Sequence, residues 1–407
     1  MSTACMHNIR SREVVLVEVR LNGGALKDAT DDHKADREIV MAAVSQYGYA
    51  LQYAVEHLRA DREIVLAAVS QNGFALFHAA EHLKADREIV LAAVSQIGWA
   101  LKYAAHELMA DREIVMVAVS HQDGCALFHA AGYLKADREV VLAAVSHDGS
   151  ALQYAAEELR MDREIVITAI SQDGRVLEFA AEELRADREI VMIAVSQDGC
   201  ALFHAAVHLR ADREIVMTAV SQNGNSLGFV VEHLKADREI ARVAVSQDGM
   251  ALRYVATDVK TDREIVIVAV SQNGCTLRNA SEELKADREV VMAAVSQDGE
   301  ALQFSANEYK EDREIVRASV SQNGDALQYA AEHLKADKDV IMAALFAPNI
   351  TKEKTCLCSV EITTFIPKEL YGDEEITFRL IDLYGDDLPL IFLYCFVRKY
   401  SNLLALE

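Results

Sequence analysis

Hydrophobic and polar positions repeat along this chain with a period of about 25 residues. In DREIVLAAVSQ (61–71) apolar residues cover nearly all sides, which is typical of a helix inside a packed structure. The following stretch, FALFHAAEHLK (74–84), is apolar at Leu76, Ala79 and Leu83 and polar between them, which predicts a second helix with one buried face. Each period therefore predicts two short helices, of which the first is the more buried.

The period is marked by twelve copies of D-R-E-[IV], which are 25 residues apart except for one 26-residue step at His121-Gln122. A degenerate copy begins at Ser11 and a truncated one at Asp337, so thirteen whole units and half of another are present. Two helices of about ten residues cannot bury their apolar faces alone, but stacked units can. The sequence predicts an all-α fold, an α-solenoid of about thirteen 25-residue two-helix repeats.

Residues at the helix ends suggest how each unit begins and ends. Thr261-Asp262-Arg263-Glu264 has the S/T-x-x-E form of a capping box, which places the helix start for the other copies. Thirteen of the 18 glycines follow the first helix at one position, which predicts a left-handed C′ residue there. Arg62 and its equivalents are expected to pair with acidic residues in adjacent turns and to hold the units in register.

The two ends of the chain depart from the repeat. Residues 1–10 form an N-terminal extension, 11–346 the helical repeat solenoid, and 347–407 a C-terminal cap or docking module. CLCSVEITTFI and EEITFRLIDLY are rich in β-branched and aromatic residues, which predicts a few strands and a small segment of mixed α/β structure. PLIFLYCFVRKYSNLLAL fits a strand or a helix, and a membrane-touching terminus is a third interpretation of the tail.

Composition excludes several classes of function. The net charge of -23 argues against nucleic acid as a partner, because phosphate binding needs a basic surface. No secretory signal is visible at the N-terminus. The longest uncharged apolar run, Leu388 to Val397, is too short to span a bilayer. Seven cysteines, an odd and sparse set, favour a reducing compartment, so we expect a cytoplasmic protein. We also expect no cofactor.

The wording of the repeat is distinctive. The pattern D-R-E-[IV]-V-x-A-A-V-S-Q-[ND]-G-x-A-L-x-[YFH]-A-x-E-x-L-[KR] resembles a family of tandem helical repeats catalogued as a domain of unknown function (DUF forty-one sixteen). The resemblance covers most of the chain and implies an all-helical repeat array. It implies no catalytic residues and no activity, so a function has to be inferred from the residues themselves.

One stretch has the form of a catalytic metal motif. His78, Glu81 and His82 form H-x-x-E-H, the order of a zinc-dependent hydrolase, and on one helix the two imidazoles would share a face. The repeat register favours another interpretation, because His78 occupies a slot that usually holds a flat ring and His82 a variable polar slot. Glu81 recurs in many units. We expect no metal site here, with His78 and His82 as weak candidates.

Variation between units indicates where a partner could bind. The slot after the glycine holds Tyr49, Phe74 and Trp99 in three consecutive units, and Phe77 and Phe128 occupy the slot three residues further on. Clustered exposed aromatic residues are typical of a protein-binding hot spot. The alternative is that these rings fold back into the core.

A second group of unit-specific residues is basic: Arg242, Arg253, Arg278 and Arg317, a possible docking point for an acidic peptide or phosphate. Together these features predict a non-enzymatic protein-interaction scaffold with a protein partner, no nucleic acid and no membrane. Two alternatives stay open. One is a metal-dependent hydrolase or other enzyme centred on His78/Glu81/His82 or on the C-terminal segment; the other is a passive spacer with its function in that segment.

Overall fold

The computed structural model describes residues 11–120, 124–349, 370 and 373–384. In these ranges the regular elements are helices, and no strand occurs. The chain divides into two compact units, 1–206 and 207–407. Within each unit, the long helices of successive repeats pack side by side. The predicted all-α solenoid of 25-residue repeats is confirmed.

Each repeat contains three helical segments: a long helix, a six-residue 3-10 helix and a short helix. The long helices of the first unit are Arg12–Leu21, Arg37–Gln46, Arg62–Gln71, Arg87–Gln96, Arg112–Ser120, Arg138–His147, Arg163–Ile170 and Arg188–Gln197; those of the second are Arg213–Gln222, Arg238–Gln247, Arg263–Gln272, Arg288–Gln297, Arg313–Gln322 and Lys338–Leu345. The 3-10 helices are Gly23–Asp28, Gly48–Tyr53, Gly73–His78, Gly98–Tyr103, Gly124–His129, Gly149–Tyr154, Gly174–Phe179, Gly199–His204, Gly224–Phe229, Gly249–Tyr254, Gly274–Asn279, Gly299–Phe304 and Gly324–Tyr329. The short helices are Asp31–Lys34, Glu56–Arg59, Glu81–Lys84, His106–Met109, Leu134–Ala136, Glu157–Arg160, Glu182–Arg185, Leu209–Ala211, Glu232–Lys235, Val259–Thr261, Glu282–Lys285, Asn307–Lys310 and Glu332–Lys335.

The second helix of each repeat is not continuous, contrary to the sequence-based expectation. In FALFHAAEHLK the 3-10 helix ends at His78, and Ala79 (φ -68, ψ 154) and Ala80 (φ -64, ψ 150) are extended before the short helix begins. The amide of Ala80 donates to the carbonyl oxygen of Arg59 in the preceding repeat, at 2.9 Å. Alanine favours helices, but the bond across the repeat boundary outweighs that weak preference.

The core is a continuous row of small and branched side chains between neighbouring long helices. Ile64, Val65, Ala68 and Val69 are fully buried, and the same four positions are buried in the adjacent repeats. The 3-10 helix adds further buried side chains, such as Ala75 and Leu76. The long helix is the more buried element, as the sequence predicts.

The N-cap of the long helix is the aspartate of D-R-E, and the predicted capping box is wrong. The Oδ1 atom of Asp262 accepts hydrogen bonds from the amides of Glu264 (3.1 Å) and Ile265 (3.4 Å). The Thr261 hydroxyl instead donates to the carbonyl oxygen of Asp258 at 2.6 Å. Aspartate is a strong N-cap because its carboxylate satisfies free amides at the positive end of the helix.

The repeated glycine is needed for close approach, and the predicted left-handed backbone is wrong. A Cβ atom at Gly249 would lie 2.5 Å from the carbonyl oxygen of Ala269 in the next long helix. The residue before the glycine ends the long helix in an extended conformation, as Asp248 does at φ -146. Its side chain accepts the amide of Met250 at 2.8 Å, which starts the 3-10 helix without a left-handed residue.

Ion pairs connect the starts of successive long helices. The Nε atom of Arg62 lies 2.8 Å from Asp86 Oδ2 in the next repeat, and the same guanidinium also pairs with Glu88. Equivalent arginines repeat this pattern within both units, from Arg12 to Asp36 and from Arg313 to Asp337. The partners are therefore in the neighbouring repeat rather than in adjacent turns.

The predicted strand in EEITFRLIDLY is wrong, because Glu374–Tyr384 is a helix. Asp373 caps it as the repeat aspartates do, accepting the amide of Ile376 at 3.3 Å. Lys338 pairs with Asp373 and Glu375 at 3.1 Å each, in the place of the repeat arginine. Packing against the last long helix decides the conformation, since β-propensity depends on context.

The remaining predictions for the tail, CLCSVEITTFI and PLIFLYCFVRKYSNLLAL, and the N-terminal extension 1–10 lie outside the described residues. The cap and the docking module both stay predictions.

Candidate functional site

The candidate aromatic residues lie on the 3-10 helices. A 3-10 helix has three residues per turn, so residues three apart lie above one another. Phe74 and Phe77 therefore occupy the same edge of Gly73–His78, one turn apart. His78 is the last residue of that helix, next to the boundary with the following repeat.

The rings in the slot after the glycine are half-buried between repeats. Tyr49 packs edge-on against His78 of the next repeat, with ring centroids 4.9 Å apart. Trp99 packs in the same way against His129, at 5.2 Å. Phe74 makes a longer edge-on contact with Tyr103, at 6.3 Å. These three rings contribute mainly to the packing of one repeat on the next.

Phe77 and Phe128 are the exposed members of the predicted set, with 52% and 50% of their surface accessible. One side of each ring rests on the next repeat: Phe77 lies 5.0 Å from Tyr103, and Phe128 lies 5.1 Å from Tyr154. We call Phe77 and Phe128, with the half-buried Tyr49, Phe74 and Trp99, the aromatic surface. Its two exposed rings are held in place while one side of each faces solvent.

Two lysines border the exposed rings. The Lys84 ammonium lies 6.0 Å from the centroid of Phe77, and the Lys135 ammonium lies 5.4 Å from that of Phe128. Such contacts are weakly attractive at exposed positions. The aromatic surface thus presents apolar rings beside positive charge, in a chain that is acidic as a whole.

Sequence reasoning did not single out Phe203, which is 55% exposed and lies 5.0 Å from the ring of His204. It occupies the same slot as Phe77 and Phe128, and each of the three is followed by histidine. That recurring Phe-His pair is the signal that identifies it.

The H-x-x-E-H motif is not on one helix. His78 ends a 3-10 helix and His82 lies in the short helix Glu81–Lys84, with two extended alanines between them. Glu81 pairs with Lys84 at 2.8 Å. His78 is half-buried, and burial lowers its pKa, whereas His82 is exposed. Across the described residues no group of three or more His, Cys, Asp or Glu side chains could hold a metal ion.

The four basic candidates do not form one cluster. Arg242 and Arg317 are exposed on the long helices Arg238–Gln247 and Arg313–Gln322, which two other long helices separate in chain order. Arg253 and Arg278 lie instead on 3-10 helices. The Arg253 guanidinium lies 4.5 Å from the centroid of Tyr254 and donates to Asn225 at 3.3 Å, so it braces two repeats.

Two cysteines of the repeats, Cys125 and Cys275, face acidic side chains. The Cys125 thiol donates to Asp148 at 2.9 Å, and the Cys275 thiol donates to Asp298 at 3.0 Å. Burial and the hydrogen bond to Asp298 raise the pKa of Cys275 to about 12. A thiol with a raised pKa is a poor nucleophile.

In the part of the chain that the structure describes, no helix combines the length and apolarity required to cross a membrane.

One known protein family matches the repeated part of this chain. A model described as a domain of unknown function (DUF4116) matches residues 11–59, 36–84, 86–135, 137–185, 162–210, 212–260, 262–310 and 312–346. Most matches span two repeats, and together they cover well over half of the chain. No curated protein matches it.

Proposed function

This chain belongs to the DUF4116 family, and on that premise we propose that it is a non-enzymatic protein-interaction scaffold that binds a protein partner on the aromatic surface. The supporting observation is that the rings of Phe77 and Phe128 are half exposed to solvent while contacts with the next repeat hold them in place. A surface ring that is already ordered loses little conformational freedom on binding, which favours affinity. Large aromatic side chains also dominate hot spots.

The test is capture of partners by the full chain, compared with a Phe77→Gln/Phe128→Gln variant. Glutamine occupies the same slot at Gln52, Gln153 and Gln303, so the substitution is compatible with the repeat. Met161→Ala is the matched control, because Met161 is 49% exposed and most other repeats have alanine at this position. Proteins that bind the wild type and Met161→Ala, but not the double variant, support the proposal.

Identical partners for the double variant and the wild type would contradict it. Alanine substitutions of Tyr49, Phe74 or Trp99 are less informative, because these half-buried rings also pack the repeats together. Loss of binding there would not separate a contact from a change in packing.

The absence of enzyme activity is part of the same proposal. A hydrolase centred on His78 and His82 would need both imidazoles on one metal, and two extended alanines separate them. Metal analysis of the purified protein tests this point. Stoichiometric zinc that is lost on His78→Ala would contradict a scaffold without catalysis. A cytoplasmic location and the absence of a nucleic-acid partner stay predictions from the cysteines and the charge.

A further inference from the structure

The last residue of the short helix is lysine or arginine in most repeats, and the two residue types behave differently. Lys84, Lys235 and Lys285 each pair with the glutamate three residues earlier, at 2.6–2.8 Å. Arg59 does not pair with Glu56, although the spacing is the same. Its Nε atom is instead buried and has no hydrogen-bond partner in the described structure.

A second unpartnered atom lies close to Arg59. The Nε2 atom of His78 is buried without a hydrogen bond. Burial is the main cause that lowers the pKa of His78, and the positive charge of Arg59 is the second. The His78 ring is held between Tyr49 and Phe77, whose centroids each lie 4.9 Å away. The bond from Ala80 to the Arg59 carbonyl fixes the two repeats at this point.

Arg59 and His78 line the same pocket, which has a volume of about 260 Å³ and opens beside the two short helices. Glu56 and Glu81 also line it, and both are exposed. Glu81 is neutralised by Lys84, whereas Glu56 opposes an anion at this position. Buried N–H groups without a partner are costly, so a ligand oxygen that accepts from Arg59 would be stabilised here.

The arginine part of this arrangement recurs in three other repeats, because the Nε atoms of Arg160, Arg185 and Arg210 are also buried without a hydrogen bond. Of these three arginines, only Arg185 has a Phe-His pair in the following repeat. The backbone carbonyl oxygen of Arg185, whose Nε atom is buried without a hydrogen bond, accepts a hydrogen bond from the amide of Ala206 at 2.9 Å. His204 lies in the following repeat, and Phe203 beside it is exposed.

The third Phe-His pair, Phe128 and His129, is a natural control. The Nε2 atom of His129 is also buried without a hydrogen bond, but Met109 occupies the position that Arg59 and Arg185 hold in the other two.

We propose that Arg59 with His78, and Arg185 with His204, each bind a carboxylate side chain of an acidic peptide whose apolar neighbour packs on Phe77 or Phe203. This inference rests on the proposed function and specifies the chemistry of the partner. The guanidinium donates to the carboxylate, and the exposed ring covers the adjacent apolar group. The chain's overall negative charge is screened beyond about 10 Å, so the charges at the pocket, Arg59 and the opposing Glu56, decide the contact.

The probes are the capped tripeptides acetyl-Leu-Glu-Leu-amide and acetyl-Leu-Gln-Leu-amide, titrated into the full chain labelled on its histidine rings. Nuclear magnetic resonance follows the rings of His78, His129 and His204, each assigned from its His→Gln variant. The glutamate peptide shifts His78 and His204 and binds about threefold or more tightly than the glutamine peptide. It leaves His129 unmoved.

Single substitutions then separate the sites. Arg59→Gln removes the response of His78 alone, Arg185→Gln removes that of His204 alone, and Met109→Arg creates one at His129. Glu56→Gln strengthens the response of His78, because it removes the opposing charge at the rim.

Equal shifts with both peptides, equal responses of all three histidines, or no effect of Arg59→Gln would overturn the proposal. If partners that need Phe77 and Phe128 are captured while the peptides move no histidine, the carboxylate site is wrong and the scaffold stands. If the peptides bind as expected but the Phe77→Gln/Phe128→Gln variant keeps every partner, the scaffold proposal fails instead.

Discussion

Substitution of the repeated glycine tests the packing of successive repeats most directly. In Gly249→Ala, the new Cβ would lie 2.5 Å from the Ala269 carbonyl oxygen and 3.3 Å from its carbon, both in the backbone of the next long helix. Because a helix backbone cannot move aside as a side chain can, the two repeats must separate. Overpacking of this kind costs about 1–3 kcal/mol. Gly132 is the matched control, since apart from its own chain neighbours no heavy atom lies within 4 Å of a Cβ built there.

The measurement is hydrogen exchange of the full chain, because long repeat arrays need not unfold in one step. The expected cost corresponds to about 5- to 150-fold faster exchange for the long-helix amides on either side of Gly249. Gly132→Ala should leave exchange unchanged or slow it, since alanine reduces the entropy of the unfolded chain. Equal protection of the Gly249→Ala and Gly132→Ala variants would refute the argument that the glycine is required for close approach.

Three further predictions concern titratable groups. Asp86→Ala should speed hydrogen exchange of the amides in Arg87–Gln96, since loss of an N-cap costs about 1 kcal/mol. Arg62→Ala should have a smaller, salt-sensitive effect on the same amides, and equal effects would contradict the capping role. The hydrogen bond from Arg62 lowers the pKa of Asp86 below 3.8, so the stability that this carboxylate provides is present above that pH and is lost as the pH falls through the lowered pKa. Burial lowers the pKa of His78 below 6.5, so local stability should fall as the pH drops from 6.5. His78→Gln should reduce that dependence in the hydrogen-exchange protection factors of the neighbouring long helices. Cys275, with a pKa of about 12, should be alkylated by iodoacetamide at pH 8 far more slowly than a free thiol. Rapid modification mapped by mass spectrometry would contradict its half-buried contact with Asp298.

The candidate site shows how far residue types alone identify an exposed position. The sequence identified the aromatic slots, and Phe77 and Phe128 are indeed exposed. It did not distinguish them from Tyr49 and Trp99, which are half-buried. Variation at a position shows that the fold tolerates different residues there, but it does not show that the position is exposed. A position at the boundary between two repeats can hold many residue types, because each side chain finds a different partner in the next repeat. Arg59 was not selected, because its missing ion pair is visible only in three dimensions.

The sequence by itself determined the all-α class, the 25-residue repeat, the buried face of the long helix and its acidic start, because these depend on local periodicity and on contacts that recur identically in every unit. The tertiary structure decided three other features: the break after His78, the role of the glycine and the helix at Glu374–Tyr384. Each feature depends on a group in a neighbouring element. The Arg59 carbonyl accepts a hydrogen bond at the break, and the Ala269 carbonyl oxygen leaves no room for a Cβ at Gly249. The Lys338 ammonium pairs with Asp373 at the start of the last helix. Contacts between repeats outweigh the small conformational preferences of single residues, so those features follow from packing rather than from local sequence.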